Sequence, residues 1–147
     1  MRHHDIHFMK VAKLIAEESK DPSTQVGCVI VDENRDIVST GYNGFPQGIK
    51  DDARLDDRGV KYELIIHAEL NAILRADKRR LVGATIYTWP FLPCIRCSPY
   101  ILQAGITRVI SIPHNKPHWH DNLVKSVNLF GEANVEVTLL EGNPTND

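Results

Sequence analysis

Apolar residues recur at helical spacing over residues 5–19, where Phe8, Val11, Ala12 and Ile15 share a face and Asp5 is placed to cap the start. Asp21-Pro22-Ser23 stops that pattern. Residues 26–31 are short, β-branched and almost wholly apolar, and residues 37–42 are a second strand candidate. The polar run Asp32-Glu33-Asn34-Arg35-Asp36 between them predicts a hairpin. Residues 41–48 form a loop punctuated by glycine and proline, which the acidic stretch 51–59 extends. From there helix and strand patterns alternate: a helix over 68–77 with Leu70, Ile73 and Leu74 on its apolar face, a strand over 84–88, a helix over 95–103 ended by Gly105, a strand over 108–112, a helix over 121–130 and a strand over 135–140. This order predicts an α/β fold with three layers, α/β/α, around a five-stranded mixed sheet, whose opening hairpin makes one pair antiparallel.

The 147 residues suit a single domain with a continuous core. Hydrophobic residues at 42% and charged residues at 24% are ordinary for a globular protein. No apolar run reaches the roughly 18–20 residues that span a bilayer, and the N-terminus lacks a signal-peptide pattern, so a cytoplasmic protein without a membrane partner is expected. A net charge of −2 offers no strong attraction for a polyanion, which argues against a nucleic-acid partner.

Chemistry enters with His67-Ala68-Glu69 and Pro93-Cys94-Ile95-Arg96-Cys97, each at the start of a predicted helix. Unpaired N–H groups and the positive dipole end there favour thiolates at Cys94 and Cys97. His67, Cys94 and Cys97 can meet one Zn²⁺, and three protein ligands leave a fourth tetrahedral position for water, as in catalytic rather than structural sites. Glu69 stands two residues from His67, off the metal face of a helix, and suits a proton shuttle between water and substrate. Each piece alone has a plainer reading: His-x-Glu as a solvated helix start, Cys-x-x-Cys as a redox pair or half of a zinc ribbon. The ribbon needs a second Cys pair, and only Cys28 remains, in an apolar strand where a small buried hydrophobe is expected.

Together, His-x-Glu and Pro-Cys-x-x-Cys form the signature of zinc nucleobase deaminases. The chain resembles the cytidine/deoxycytidylate deaminase superfamily, and within it the deoxycytidylate (dCMP) deaminases. The resemblance rests on Asp21-Pro22-Ser23-Thr24-Gln25-Val26-Gly27, Gly41-Tyr42-Asn43-Gly44-Phe45-Pro46-Gln47-Gly48, His67-Ala68-Glu69-Leu70-Asn71-Ala72-Ile73 and the Cys pair. It implies hydrolytic deamination of dCMP, with zinc on His67, Cys94 and Cys97 and Glu69 as the catalytic shuttle. It also implies that Asn43 bonds the sugar and that the Ala68 backbone touches the pyrimidine. A homo-oligomer, hexamer or dimer, with dCTP and dTTP as effectors bound near the Gly-Tyr-Asn-Gly loop, is implied as well. The link 88–93 is one residue longer than usual for the family, which places Trp89 and Pro90 at the pocket mouth.

The phosphate binder has several candidates: Lys20, Ser23 and Thr24 before the first strand, and Arg54, Arg58 and Lys61 on the long loop. The tract His114-Asn115-Lys116-Pro117-His118-Trp119-His120 reads as a second metal site, a lid, or a solvated loop entering the last helix. His3, His4 and His7 read as unpaired residues of a flexible terminus. Three other functions share these motifs: deamination of another cytosine nucleoside or nucleotide, deamination of adenosine in tRNA, and a catalytically silent nucleotide sensor. A panel of cytosine compounds assayed for ammonia separates the first, release from dCMP but not from an anticodon stem-loop separates the second, and binding of cytosine nucleotides without turnover marks the third.

Overall fold

The computed structural model describes residues 3–114, 116–142 and 145. Helix α1 (His3–Ala16) is followed by strands β1 (Gly27–Val31) and β2 (Ile37–Tyr42), joined as a hairpin. A 3₁₀ turn at Ala53–Asp56 leads to α2 (Arg58–Leu64), α3 (Ala68–Arg75) and the single helical turn α4 (Lys78–Leu81). Then come β3 (Thr85–Trp89), α5 (Ser98–Ala104), β4 (Arg108–Ser111), a 3₁₀ turn at Pro117–Trp119, α6 (His120–Glu132) and β5 (Glu136–Leu139).

The sheet order is β2-β1-β3-β4-β5. Strand β1 is antiparallel to both neighbours, while β3, β4 and β5 are mutually parallel. Two pairs are therefore antiparallel rather than the one expected, because β3 docks on the far side of β1 instead of beside β2. Strands β2, β3, β4 and β5 thus run the same way and progress in one direction across the sheet. Crossovers of one hand then put their helices on one face. Ala68 and Ala72 of α3, Ile101 of α5, and Leu123 and Phe130 of α6 pack there on Cys28, Ile30, Ile86 and Val109. The opposite face, Val29, Val31, Tyr87 and Ile110, is covered by Phe8, Met9 and Ala12 of α1.

The segment read as an extended acidic loop contains α2, and two aspartates explain it. Asp52 caps the 3₁₀ turn through the Arg54 N–H, and Asp57 accepts from Val60 N–H at 3.3 Å to start α2. Asp5 differs as well. It does not cap α1, which begins at His3, but turns into the core from the first turn. There it accepts from Tyr87 Oη at 2.6 Å and from both Arg108 terminal nitrogens at 3.2 and 2.9 Å. Burial alone pushes that carboxyl up, but hydrogen bonds from Arg108 and Tyr87 and the guanidinium charge outweigh it and hold it below the usual range. His3, His4 and His7 belong to α1 rather than to a loose tail.

Candidate active site

The site is assembled where the chain leaves the C-terminal ends of β2 and β3. His67 is the N-cap of α3, with extended backbone (φ −68°, ψ 154°) and no capping bond from its ring. The divergence of helical positions i and i+2 therefore does not apply between His67 and Glu69, and both side chains enter one site. The cysteines lie ahead of the helix expected over 95–103, which begins at Ser98. The Cys94 carbonyl accepts from the N–H groups of Cys97 and Ser98, both at 3.1 Å, closing a turn that sets the two thiols together. Asn122 Oδ1 of α6 accepts from Ile95 N–H at 2.9 Å and ties that turn to the last helix.

His67 Nδ1 lies 3.4 Å from Cys94 Sγ and 3.2 Å from Cys97 Sγ, and all three donor atoms fall within 4.8 Å of one another. Ligands on one tetrahedral zinc, with bonds of about 2.0–2.3 Å, stand roughly 3.5 Å apart. The donor set and its spacing fit zinc. Among the described residues no other group of three or more His, Cys, Asp or Glu gathers this way.

The local electrostatics follow from packing three donors together. The Cys97 thiol beside it, together with His67, brings the Cys94 thiol down to about 4 despite burial. The hydrogen bond with Cys94 and burial push Cys97 up, and the Cys94 hydrogen bond raises His67. Glu69 is buried at 4% exposure, and that burial raises its carboxyl. Cys28 is the small buried hydrophobe expected, its Sγ donating to the Ala68 carbonyl at 3.2 Å.

A cavity of about 290 Å³ opens onto this floor. His67, Ala68, Glu69 and Cys94 line it below, and Val26, Ile65, Phe91, Trp119 and Leu123 supply apolar wall. Phe91 and Trp119 face each other at 6.1 Å between ring centroids. Such an apolar cleft with a few convergent polar groups is the usual form of a small-molecule site.

The candidate substrate residues fare unequally. Ala68 and Ser23 line the cavity. Asn43 lines it too, but its amide is engaged with the chain: Oδ1 accepts from Val26 N–H at 2.9 Å, and Nδ2 donates to the Thr24 carbonyl at 2.9 Å and to Asp21 at 3.3 Å. Lys20 is exposed and lies outside the cavity lining. Trp89 is displaced from the expected pocket mouth. Alternation along β3 sends Ile86 to the zinc face and Trp89 to the α1 face, under Lys13. Phe91 stands in the pocket wall instead.

The tract 114–120 is neither a second metal cluster among the described residues nor merely solvated; Asn115 lies outside those residues. Lys116, His118 and Trp119 line the cavity. So do Arg58, Lys61 and Tyr62 of α2, the helix within the stretch expected to be a long loop.

A mixed sheet with its crossovers on one face, and a His–Cys–Cys set beside a buried glutamate, define a mononuclear zinc hydrolase. The chain belongs to the family described as the cytidine and deoxycytidylate deaminase zinc-binding region, whose model matches residues 2–112. An uncharacterised deaminase of Aliivibrio fischeri, encoded in the luxG 3′ region, is 45% identical over 136 residues, 90% of each chain. Human deoxycytidylate deaminase is 41% identical over 138 residues, covering 88% of this chain and 75% of the human one. The crystal structure of dCMP deaminase from the cyanophage S-TIM5, in complex with dCMP and dUMP, superposes with a TM-score of 0.76 at 25% identity, covering 95% of this chain and 99% of the other.

Proposed function

We propose that this protein deaminates dCMP hydrolytically, dCMP and water giving dUMP and ammonia. The observation that carries the reading is the His67, Cys94 and Cys97 donor set with Glu69 buried against it at the floor of one cavity. The relative that bears the name deoxycytidylate deaminase and the neighbour that holds dCMP and dUMP support the choice of base and nucleotide.

His67, Cys94 and Cys97 would hold the zinc, which would lower the pKa of water there from about 15.7 toward 7 and bring hydroxide within reach at neutral pH. Glu69 takes a proton from the attacking water and places it on N3 as the oxygen bonds to C4. It then carries the second proton to the exocyclic nitrogen. The C4–N bond breaks with its electron pair on nitrogen, and ammonia leaves. The Ala68 backbone and Asn43 border the base and sugar, and Phe91 and Trp119 exclude water from the reacting carbon.

The family resemblance supports three further parts of the reading: the described chain acts as one domain, it assembles as a homo-oligomer, and it responds to dCTP and dTTP near residues 41–48. No helix among the described residues is long and apolar enough to cross a membrane, in keeping with a cytoplasmic site of action. The test is ammonia release from cytosine, cytidine, CMP, dCMP, dCDP and dCTP, with and without dCTP or dTTP as effector. Highest kcat/KM on dCMP is expected. A zinc-loaded protein that spares dCMP while deaminating another member of the panel, or none, ends the reading.

A further inference from the structure

Metal ligands keep their aim only when the backbone that carries them is itself held in place. We infer that Asn122, in the first turn of α6, is a positioning residue for the zinc. Its side-chain oxygen holds the Cys94–Cys97 turn in the form that binds the ion. The inference rests on zinc at His67, Cys94 and Cys97 and is independent of which cytosine compound is the substrate. Within the turn, three donors converge on the Cys94 carbonyl: the N–H groups of Cys97 and Ser98, both at 3.1 Å, and the Ser98 hydroxyl at 2.9 Å. Those bonds set the turn's own shape. Its backbone is joined to another element by Ile95 N–H, which donates to Asn122 Oδ1 at 2.9 Å across 27 residues of chain.

The place of that bond matters. The Cys94 carbonyl and the Ile95 N–H belong to one planar peptide unit. Asn122 therefore orients the same plane on which the turn's three internal bonds converge, one bond away from the Cα that carries a zinc ligand. A backbone N–H can only donate, so the amide must present its oxygen to the turn. An asparagine near a helix start commonly bonds its own backbone. Here α6 has Trp119 at its cap and no side-chain capping bond, and the Asn122 oxygen still goes to Ile95. The helix that carries Asn122 is fixed by burial, since Leu123 packs in the core with Ile86 and Ile101. Trp119 and Leu123 also wall the cavity, so the turn of helix that closes the pocket is the one that aligns the cysteines.

Zinc affinity, measured by competition with a chromogenic chelator, tests the assignment. Asn122→Leu removes the acceptor at similar volume and should weaken zinc binding about 10- to 100-fold. Asn122→Ala, which adds no bulk, should follow it. Asn122→Asp keeps an oxygen in the same place and should stay within about threefold of the wild type. With cobalt in place of zinc, the thiolate-to-metal absorption band should change in the Leu and Ala variants and match the wild type in Asn122→Asp. Loss of helix packing alone would lower the thermal midpoint of the zinc-free protein while leaving affinity and cobalt spectrum as they were. That pattern overturns the assignment. So does a loss of zinc affinity smaller than about tenfold in both the Leu and Ala variants, or an Asn122→Asp protein as weak as they are. None of these readouts uses a substrate, so failure of the dCMP reading leaves them unaffected.

Discussion

At the scale of single residues, Glu69 and Asp5 are both buried carboxylates with opposite tasks. Glu69 faces the cavity beside the zinc donors, where a carboxylate can move a proton. Glu69→Gln keeps the size and removes the proton carrier. It should retain one zinc per chain by elemental analysis and lose at least about 10³-fold in kcat. Normal turnover in a zinc-replete Gln variant would remove Glu69 from the mechanism. Asp5 instead faces Arg108 and Tyr87 in the core, and its carboxyl is held low. A depressed folded-state pKa contributes stability that is present above the unfolded value near 3.8 and is lost as pH falls through the folded one. Asp5→Asn should cost about 3 kcal/mol at pH 7, since it leaves a partly buried guanidinium without its main partner. The gap between variant and wild type in urea midpoint should then close below pH 4. Parallel acid profiles would show that the pair contributes nothing there.

Among elements, the decisive contacts are close approaches of helix backbone to strand. A Cβ at Gly41 on β2 would overlap the Ala68 carbonyl oxygen and the Ala72 nitrogen of α3. One at Gly27 on β1 would overlap Ala12 and Ala16 of α1 on the opposite face. Both Gly→Ala changes should cost about 1–3 kcal/mol through overpacking. Only Gly41→Ala pushes the helix that starts at His67, so it should lower zinc affinity and kcat as well. Equal activity for the two variants at matched temperature below their midpoints would refute this division. The same scale explains why α2 was hard to read. Gly59 and a run of charges hide a seven-residue helix, and its capping bond from Asp57 is apparent once the backbone is in place.

For the molecule as a whole, the metal links parts of the chain that are far apart. His67 precedes α3, the cysteines precede α5, and α6 is tied to the Cys turn through Asn122. Removing zinc with a chelator should therefore lower the thermal midpoint by about 10 °C, and stoichiometric zinc should restore it. Labelling by a thiol reagent should rise at Cys94 and Cys97 while Cys28, fully buried in the sheet, stays protected. An unchanged midpoint after complete removal would mean that the ion does not brace the fold.

The amino-acid sequence by itself determined what depends on local order and side-chain chemistry. Hydrophobic periods marked α1, the hairpin and the alternating helices and strands, and the His-x-Glu and Cys-x-x-Cys spacings named the zinc donors and Glu69. What needs two distant segments was left to the tertiary structure. Docking of β3 on β1 made the second antiparallel pair, and strand alternation sent Trp89 away from the cavity while Phe91 entered it. Packing brought Lys61, from a helix hidden in an acidic stretch, against Asp21 across 40 residues of chain. Local pattern encodes which face a residue presents within its own element. Only assembly decides what that face meets, because contacts across the fold are set by how the elements bury their apolar surface together.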